Sequence, residues 1–262
     1  MGFKGSLVRI QSLRHFVKWD WNQSHFFVFN LQANSMVKYD ILIPAFNAEK
    51  TLPLLTNLLL QLKKPPGKIW VIDDGSSDGT PDCVQHPSVT FDRLRTNHGK
   101  GFALRRGFNL FLKNSPAEYL ICMDADLQHP VESVAEIVER LNHKKEKIII
   151  GNRDKSARVM PLARVLSNKI TSFILSKLTG QAIQDSQCGF RAIHRDVLQD
   201  IDLKENGFQL ESEFILRTAH RGWKIDFINI PTIYNGSHSY IKHVGDTYRF
   251  IRLIIKELSG RS

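Results

Sequence analysis

The chain has 262 residues, of which 42% are hydrophobic, which is enough for a full core and ordinary for one α/β domain with additions. Its formal net charge of +10 favours a partner that carries phosphate, such as a nucleic acid, a nucleotide or the headgroups of a membrane. The three cysteines lack C-x-x-C spacing, and no window has the roughly 18 uninterrupted apolar residues of a membrane span, which argues against disulfides, structural zinc and a transmembrane helix.

Residues 1–35 mix basic and aromatic side chains without a regular period. They are open to two interpretations, a basic membrane-surface arm or an upstream extension of the reading frame that is disordered or not translated. We favour the extension, because Met36 stands just before the first clear strand. We expect residues 36–262 to form the domain and to fold without it.

From Tyr39 onwards, short apolar runs alternate with longer segments of helical period. The predicted strands are Asp40–Pro44, Lys68–Asp73, Val89–Leu94, Tyr119–Asp124 and Lys147–Gly151. The predicted helices between them are Glu49–Leu62, Lys100–Leu112 and Val131–Leu141. This alternation predicts an α/β fold with right-handed crossovers and a mainly parallel sheet. Ligands of such sheets bind beyond the carboxyl ends of the strands.

The strand at Tyr119 ends in two carboxylates that are two residues apart, Asp124 and Asp126. On extended backbone both side chains leave the same face, and Gln128 adds a neutral oxygen with the same parity. Hard oxygen ligands of this kind suit Mg²⁺ or Mn²⁺. The alternative is that an isolated Asp-x-Asp is only a polar loop. The motifs at the other strand ends favour a metal site.

Acidic and glycine-rich segments follow the second and third strands. In Asp73–Thr80, Asp73 and Asp74 can accept hydrogen bonds from a base or a ribose hydroxyl, whereas a plain turn explains Asp78. Asn97–Gly101 leads into a helix, where backbone amides and Lys100 predict a phosphate pocket. Neither a dinucleotide fingerprint nor a P-loop pattern fits the sequence.

Six motifs follow one another along the chain: Ile43-Pro44-Ala45-Phe46-Asn47, Asp73-Asp74-Gly75-Ser76, Asn97 with Gly99-Lys100-Gly101, Asp124-Ala125-Asp126-Leu127-Gln128, Gly151-Asn152-Arg153 and Cys188-Gly189-Phe190-Arg191. In this order they resemble the family 2 glycosyltransferases of GT-A fold, and in particular the dolichyl- or polyprenyl-phosphate sugar synthases. The resemblance runs from about Tyr39 to Leu258. It implies a Rossmann-like, mainly parallel sheet flanked by helices.

The resemblance also implies the roles of individual residues. The implied contacts to the nucleotide sugar are Pro44, Phe46, Glu49, Asp73, Asp74, Lys100, Asp124 and Ala125. Glu49 is included although it lies one place beyond the family's usual glutamate position, which Ala48 occupies. The implied metal ligands are Asp124, Asp126 and Gln128, and the implied contacts to the acceptor phosphate are Arg153, Arg164, Ser167 and Arg191. The family's later arginine before glycine is absent from Asn235–Ser239, which leaves His238 or Lys242 as substitutes.

Glu211 and Glu213 lie near the position where many inverting relatives keep a general base. A hydroxyl acceptor needs such a base, because its proton must leave as the new bond forms. A lipid phosphate is already ionised and needs none. We assign Glu213 to the catalytic group together with Asp124, Asp126 and Arg153, and leave open whether it acts as a base or only orients the site.

Two segments near the C-terminal end are basic and amphipathic, Pro161–Leu178 and Asp246–Leu258. Such helices can lie in the headgroup region of a membrane, or their apolar stripes can pack on the domain. The resemblance favours the membrane, since a polyprenyl acceptor is reached from the bilayer surface. Anchoring would then fall to these surfaces or to a small membrane partner protein.

The sequence therefore predicts a metal-dependent inverting glycosyltransferase that moves a sugar from a UDP- or GDP-sugar to a polyprenyl or dolichyl phosphate. We expect it at the cytoplasmic face of a membrane, with Mg²⁺ or Mn²⁺ as cofactor. The alternatives are transfer to a sugar hydroxyl of a surface polysaccharide and nucleotide-sugar binding without turnover. A nucleic-acid partner is disfavoured, because carboxylates at successive strand ends repel a phosphate backbone.

Overall fold

The computed structural model describes residues 36–153, 162–231 and 243–259, all within one unit of the chain, Met36–Ser262. The strands are β1 Tyr39–Ala45, β2 Ile69–Asp73, β3 Val89–Arg93, β4 Tyr119–Cys122, β5 Ile148–Arg153, β6 Arg191–His194 and β7 Asp226–Ile230. The helices are α1 Leu52–Leu60, α2 Lys100–Asn114, α3 Glu132–Lys144, α4 Leu162–Thr179, α5 Arg195–Asp200, α6 Leu210–His220 and α7 His243–Leu258, with a short 3₁₀ turn at Thr80–Asp82.

The described strands form one sheet in the order β3-β2-β1-β4-β6-β5-β7. β1 pairs in parallel with β2 and β4, and parallel pairing also joins β2 to β3 and β5 to β7. Only β6 runs the other way, antiparallel to β4 on one side and β5 on the other. The predicted mainly parallel sheet is confirmed, with one reversed strand that the sequence did not reveal.

The central strands are continuous apolar runs because helices cover both faces of the sheet. Ile41, Leu42 and Ile43 of β1 are fully buried, as are Ile148 and Ile149 of β5. Helix α2 approaches β1 so closely that Gly107 leaves no room for a side chain beside Leu42. This packing fixes the start of α2, and with it Lys100, relative to the carboxyl end of the sheet.

The sequence located five strands to within two residues and five helices to within three. Strand β4 ends at Cys122, before the predicted Asp124, so both carboxylates of the motif lie in the loop beyond the strand. Helix α1 begins at Leu52 instead of Glu49, with Pro53 in its first turn, where the missing N–H costs nothing. The interpretations of residues 1–35 and of His238 and Lys242 lie outside the described residues.

The two predicted amphipathic helices are confirmed as helices, and each leaves apolar side chains in solvent. On α4 the inner residues Val165 and Leu175 are buried. The large exposed side chains of the two helices are Leu166, Ile170 and Phe173 on α4 and Tyr248, Ile251 and Ile255 on α7. Across the described ranges, no helix combines the length and the apolar character needed to cross a bilayer.

Candidate active site

The predicted site residues lie where parallel strands end. Asp73 closes β2, Asp124 follows β4 by two residues, and Arg153 closes β5. The carboxyl ends of these strands share one edge of the sheet, so the loops that carry the motifs converge there. The charge of Arg153 acts on Asp124, which places the two side chains in one electrostatic environment.

Asp124 is the first carboxylate of this cluster, and Lys100 neutralises it. Its Oδ1 lies 2.7 Å from the Lys100 Nζ, and the same ammonium lies 2.8 Å from Glu211 Oε1. Burial alone would raise the pKa of Asp124, but the nearby charges of Lys100 and Arg153 lower it overall. Burial alone would likewise lower the pKa of Lys100, which its two carboxylate partners raise instead. The three side chains therefore form a charged triad at the site.

Asp126 has a different environment from Asp124. Burial, followed by the charge of Asp124, raises the pKa of Asp126 to about 6. Its Oδ1 accepts a hydrogen bond of 3.0 Å from the Gln128 amide, which closes a turn around Leu127. Leu127 adopts a left-handed backbone with φ of 59°, an uncommon conformation for a branched side chain. Strain of this kind is often kept at functional sites.

His129 follows this turn and is a buried residue that the sequence did not single out. It is only 4% exposed, stacks on Phe190 with ring centroids 5.5 Å apart, and its Nδ1 has no hydrogen-bond partner among the described residues. Burial, outweighing the nearby Asp124, lowers the pKa of His129 to about 4. A neutral ring therefore packs behind the Asp126 turn.

Arg153 is held by Asp185, a fully buried carboxylate that the sequence did not reveal. The guanidinium makes two parallel hydrogen bonds, Nε to Oδ2 at 2.8 Å and Nη2 to Oδ1 at 2.9 Å. Burial alone would lower the pKa of Arg153, but its pairing with Asp185 raises it. Asn168 of α4 donates to the same carboxylate at 2.7 Å. Asp185 thus joins the end of β5 to the inner face of α4.

The inner face of α4 continues this polar network. The Ser172 Oγ lies within hydrogen-bond distance of Asn168 Oδ1, at 3.0 Å, and of Ser186 Oγ, at 3.1 Å. Ser167, one of the predicted acceptor contacts, is half-buried and accepts a long hydrogen bond of 3.5 Å from Gln187 Nε2. Of Arg164, another predicted contact, the structure describes only the backbone. The helix that carries these residues is connected to Arg153 through Asp185.

The structure gives Asp73 and Asp74 clear roles in their own loops. Asp73 accepts hydrogen bonds from the Ser76 amide, at 3.0 Å, and from the Ser76 hydroxyl. Asp74 accepts from the His98 and Gly99 amides at 2.8 Å each, and burial, the largest effect, raises the pKa of Asp74. Both are buried, so their predicted contacts to a base or ribose stay predictions.

The predicted phosphate pocket at the start of α2 has two of its backbone amides occupied by hydrogen bonds to Asp74. The His98 and Gly99 amides are used by Asp74, and the Phe102 amide donates to Asn206 O at 3.0 Å. Lys100 is turned to Asp124 and Glu211. The loop amides are therefore engaged within the protein, and Lys100 is the part of this motif that lies at the carboxylate cluster.

The remaining nucleotide-sugar predictions fall on neighbouring loops. Pro44 and Phe46 are half-buried at the end of β1, and Ala125 is buried between the two site carboxylates. Glu49 is exposed, and its Oε2 accepts a hydrogen bond of 2.8 Å from the Gly79 amide. These positions leave the four contacts as predictions.

The structure separates the two glutamates of α6. Glu211 faces Lys100, whereas Glu213 is fully buried and accepts hydrogen bonds from the Lys204 and Glu205 amides at 3.0 and 2.9 Å. Burial raises the pKa of Glu213. The predicted catalytic role of Glu213 is untested by this geometry, which gives it a structural role in the loop before α6.

Arg191 is also bonded within the protein. Its guanidinium is buried and donates to the backbone oxygens of Ser186, Cys188 and Glu211 at 2.7 to 3.0 Å. It therefore ties the loop before β6 to the start of α6. Contact with an acceptor phosphate, as expected for Arg191 from the sequence, stays a prediction.

The residues around Asp124 suit a divalent cation that also binds phosphate. The described residues contain no cluster of three or more histidine, cysteine or acidic side chains with metal-binding geometry. Mg²⁺ and Mn²⁺ sites that act on nucleotides commonly use only one or two carboxylates, and the diphosphate completes the coordination. Asp124, Asp126 and Gln128 supply oxygen donors of that type. Burial, and after it the charge of Asp124, raises the pKa of Asp126, and a bound cation would offset both effects.

A comparison with models of protein families shows which family the chain belongs to. The sequence model described as Glycosyl transferase family 2 matches residues 40–202, more than half of the chain. The chain belongs to glycosyl transferase family 2. The recognition from the six motifs is therefore confirmed, and the protein is a glycosyltransferase.

Relatives of this family 2 glycosyltransferase include two informative proteins. An uncharacterized protein of Methanocaldococcus jannaschii is 35% identical over 213 residues, which cover 78% of this chain and 86% of the relative. The undecaprenyl-phosphate 4-deoxy-4-formamido-L-arabinose transferase of Salmonella paratyphi B is 28% identical over 170 residues, 62% of this chain and 50% of the transferase. The predicted relationship to polyprenyl-phosphate sugar transferases is confirmed, although the match spans only half of that enzyme.

Solved structures share the fold. The glucosyl-3-phosphoglycerate synthase of Mycobacterium tuberculosis, in complex with Mn²⁺, UDP-glucose and phosphoglyceric acid, aligns with a TM-score of 0.67 and 19% identity. The alignment covers 92% of this chain and 86% of the synthase. This likeness confirms the predicted GT-A architecture of the family 2 glycosyltransferase.

Proposed function

We propose that this family 2 glycosyltransferase is a metal-dependent inverting enzyme that transfers one sugar from a UDP- or GDP-sugar to a polyprenyl or dolichyl phosphate. Residues 36–262 would form the transferase domain. The homology to an undecaprenyl-phosphate sugar transferase supports the acceptor class. The solved relative with Mn²⁺ and UDP-glucose supports the donor class.

The strongest support for a phosphate acceptor comes from the interactions of the two glutamates on α6. Glu211 is ion-paired with Lys100 at 2.8 Å, and Glu213 accepts two backbone hydrogen bonds while fully buried. A hydroxyl acceptor needs a free general base within hydrogen-bond reach, and neither glutamate is available for that task. A phosphate acceptor is ionised at neutral pH and needs no base. The geometry therefore favours a phosphate nucleophile.

In this proposal the loop after β4 binds the donor. Asp124, Asp126 and Gln128 would hold Mg²⁺ or Mn²⁺, which supplies charge neutralisation for the departing diphosphate. The buried Ala125 and the half-buried Pro44 and Phe46 would contact the nucleoside. Asp73 and Asp74 fix the shape of the loops around it through their backbone hydrogen bonds.

Arg153 would bind the acceptor phosphate. Asp185 takes two of its donors and holds the planar group in one orientation, which reduces the freedom lost when phosphate binds. An acceptor oxygen attacks the anomeric carbon, and the bond from that carbon to the diphosphate oxygen breaks with its electron pair. Because attack and departure are in line, the configuration of the sugar inverts.

A lipid acceptor would be reached from a membrane surface, and α4 supports that route. Leu166, Ile170 and Phe173 are 51 to 63% exposed along one side of α4, beside the exposed Lys169 and Lys177. An apolar stripe flanked by lysines can insert among anionic headgroups. We propose peripheral binding at the cytoplasmic face. The alternative from the sequence, anchoring by a small membrane partner protein, has no support among the described residues or the relatives.

Flotation with liposomes tests the membrane part. Wild-type protein should float with vesicles that contain an anionic phospholipid at low salt, and the Ile170→Glu, Phe173→Glu double variant should remain below. Leu54→Glu is a matched control, because Leu54 is 50% exposed on α1. Protein that stays wholly in the lower fraction at low salt would contradict peripheral binding.

A transfer assay tests the function itself. Full-length protein is incubated with radiolabelled UDP- or GDP-sugars, Mn²⁺ and undecaprenyl phosphate, and the label extracted into organic solvent is counted. One nucleotide class should give extractable label that requires Mn²⁺ and is lost in Asp126→Ala. Label that stays in the aqueous phase across the common sugars of both nucleotides would contradict the proposal.

A further inference from the structure

Glu211 belongs to the Asp124–Lys100–Glu211 triad but has no role in the proposed reaction. Lys100 is shared between two carboxylates, at 2.7 Å from Asp124 and 2.8 Å from Glu211. Asp124 is the more exposed of the two, with 27% of its side chain accessible against 8% for Glu211. Glu211 is therefore the more deeply buried of the two carboxylate partners of Lys100.

The backbone holds all three side chains in place. Gly99 has a φ of 100° and lies against Asn206 O, which sets the direction in which α2 and Lys100 leave the loop. Arg191 donates to the Glu211 carbonyl at 3.0 Å, which fixes the first turn of α6. A Cβ at Gly189 would come within 2.9 Å of both Asp124 oxygens and the Lys100 Nζ. The ammonium consequently has little room to move away from either carboxylate.

Lys100 and a divalent cation would compete for the charge of Asp124. An ammonium 2.7 Å from a carboxylate oxygen satisfies much of the attraction that a metal would otherwise experience. Glu211 draws the same ammonium in the opposite direction. Without Glu211, Lys100 would be ion-paired with Asp124 alone and would attract it more strongly.

We propose that Glu211 is a positioning residue that sets the metal affinity of the Asp124–Asp126 site by sharing the Lys100 ammonium with Asp124. This inference rests on the proposed metal site. It assigns Glu211 a function other than that of a general base. It also predicts opposite effects for two neighbouring substitutions, which a general loss of structure would not produce.

Binding of Mn²⁺ to full-length protein, followed by the EPR signal of the free ion, measures the effect directly and without turnover. The titration is made with Mn²⁺ alone and again with whichever of UDP and GDP tightens wild-type binding. Glu211→Gln should weaken Mn²⁺ binding about 10-fold, the lower end of the usual effect of groups that support metal ligands. Lys100→Gln should tighten it.

A double-mutant cycle separates action through Lys100 from a direct effect of the Glu211 charge. Glu211→Gln should have little further effect in the Lys100→Gln background, because the shared ammonium is gone. An equal weakening in both backgrounds, or an unchanged Kd in the Glu211→Gln single variant, overturns the inference. Glu205→Gln is the matched control. Glu205 accepts a hydrogen bond of 2.7 Å from Gln209 and not from Lys100, so this variant should leave the Kd for Mn²⁺ unchanged.

Two further comparisons keep the result interpretable. If Glu211→Gln melts below the assay temperature, Glu211→Asp takes its place, because it keeps the charge but withdraws the carboxylate by one methylene. It should also weaken Mn²⁺ binding, and an unchanged Kd overturns the inference. Wild-type protein that binds Mn²⁺ no better than Asp126→Ala overturns the metal site and this inference with it. Normal wild-type binding with an unaffected Glu211→Gln overturns only the inference.

Discussion

Arg153 and Asp185 face each other across 32 residues of sequence and form two parallel hydrogen bonds of 2.8 and 2.9 Å. Asp185 is fully buried and also accepts from Asn168 of α4. Because a planar guanidinium bound at two points has one orientation, this pair fixes the direction in which the free edge of Arg153 points. Helix α4 and the end of β5 are thereby held together.

Replacing Asp185 with Asn should damage both stability and activity. Breaking a largely buried ion pair leaves Arg153 without its counter-charge and should lower the free energy of unfolding by about 3 kcal/mol. Misdirection of Arg153 should lower kcat/KM for the lipid phosphate about 100-fold. Urea denaturation and the transfer assay measure the two effects. Asp92→Asn is the control, because it breaks an exposed carboxylate–guanidinium pair with Arg106 and should change neither quantity much.

Gly189→Ala should weaken metal binding with a small change in stability. The added Cβ would lie 2.7 Å from Asp124 Oδ2 and 2.8 Å from Asp124 Oδ1, so this carboxylate must move away from the proposed metal site. The variant should therefore need more Mn²⁺ than the wild type for the same rate in the transfer assay. Gly245→Ala provides the comparison, since nothing lies within 4 Å of the modified position on α7. Normal metal dependence in Gly189→Ala would show that the triad geometry is not needed.

Glu213→Gln should retain most of its turnover while losing stability. The side-chain NH₂ of Gln would face one of the two backbone N–H groups that now donate to Glu213, so one hydrogen bond would be lost. This loss should lower the free energy of unfolding by about 1 to 3 kcal/mol. A general base, by contrast, contributes a factor of about 100 to 10,000 to the rate. Thermal melting and kcat at saturating acceptor measure the two effects. A fall in kcat of that size would restore Glu213 as the base.

His194 should make the fold sensitive to mild acid. Its Nδ1 accepts a hydrogen bond of 3.1 Å from the Asp196 amide at the start of α5, which requires a neutral ring. Burial, followed by the charge of Lys147, lowers the pKa of His194, although the Asp196 carboxylate opposes this. The stabilisation is thus present above the unfolded pKa of about 6.5 and is lost as the pH falls below it.

The variant His194→Asn keeps a capping acceptor that does not titrate in this range. Between pH 8 and pH 5.5 it should lose about 1 kcal/mol less stability than the wild type, the usual value of a helix cap. Urea denaturation at the two pH values gives this difference. His143→Asn, at an exposed position in the last turn of α3, should behave as the wild type. Equal losses in wild type and His194→Asn would exclude the cap as the cause.

The parallel part of the fold could be predicted because buried parallel strands are continuous apolar runs that end in turn residues. Strand β6, Arg191–His194, has only four residues with a basic residue at each end, so no period marks it. Its place between β4 and β5 depends on pairing that is distant in sequence, such as Tyr119 with His194.

The site could be predicted only in part, for equally specific reasons. Asp124 and Asp126 lie in the loop directly after the apolar strand β4, so the sequence marks them, and the family resemblance indicates Arg153 at the end of β5. Glu211 and Glu213 are two residues apart, which on a helix separates them by about 200°, and only the structure shows which one faces Lys100. Asp185 lies in a polar segment with nothing to connect it to Arg153.

A comparison of undecaprenyl phosphate with undecaprenol, the same chain without phosphate, distinguishes a phosphate acceptor from a hydroxyl acceptor. Both acceptors are offered at equal concentration to full-length wild-type protein with the labelled donor and Mn²⁺, and the extracted label is counted. We expect label on the phosphate alone, because no described glutamate at the site is free to remove a proton from an alcohol. Label on the alcohol at a comparable rate would contradict it and point to a hydroxyl acceptor with an enzyme base.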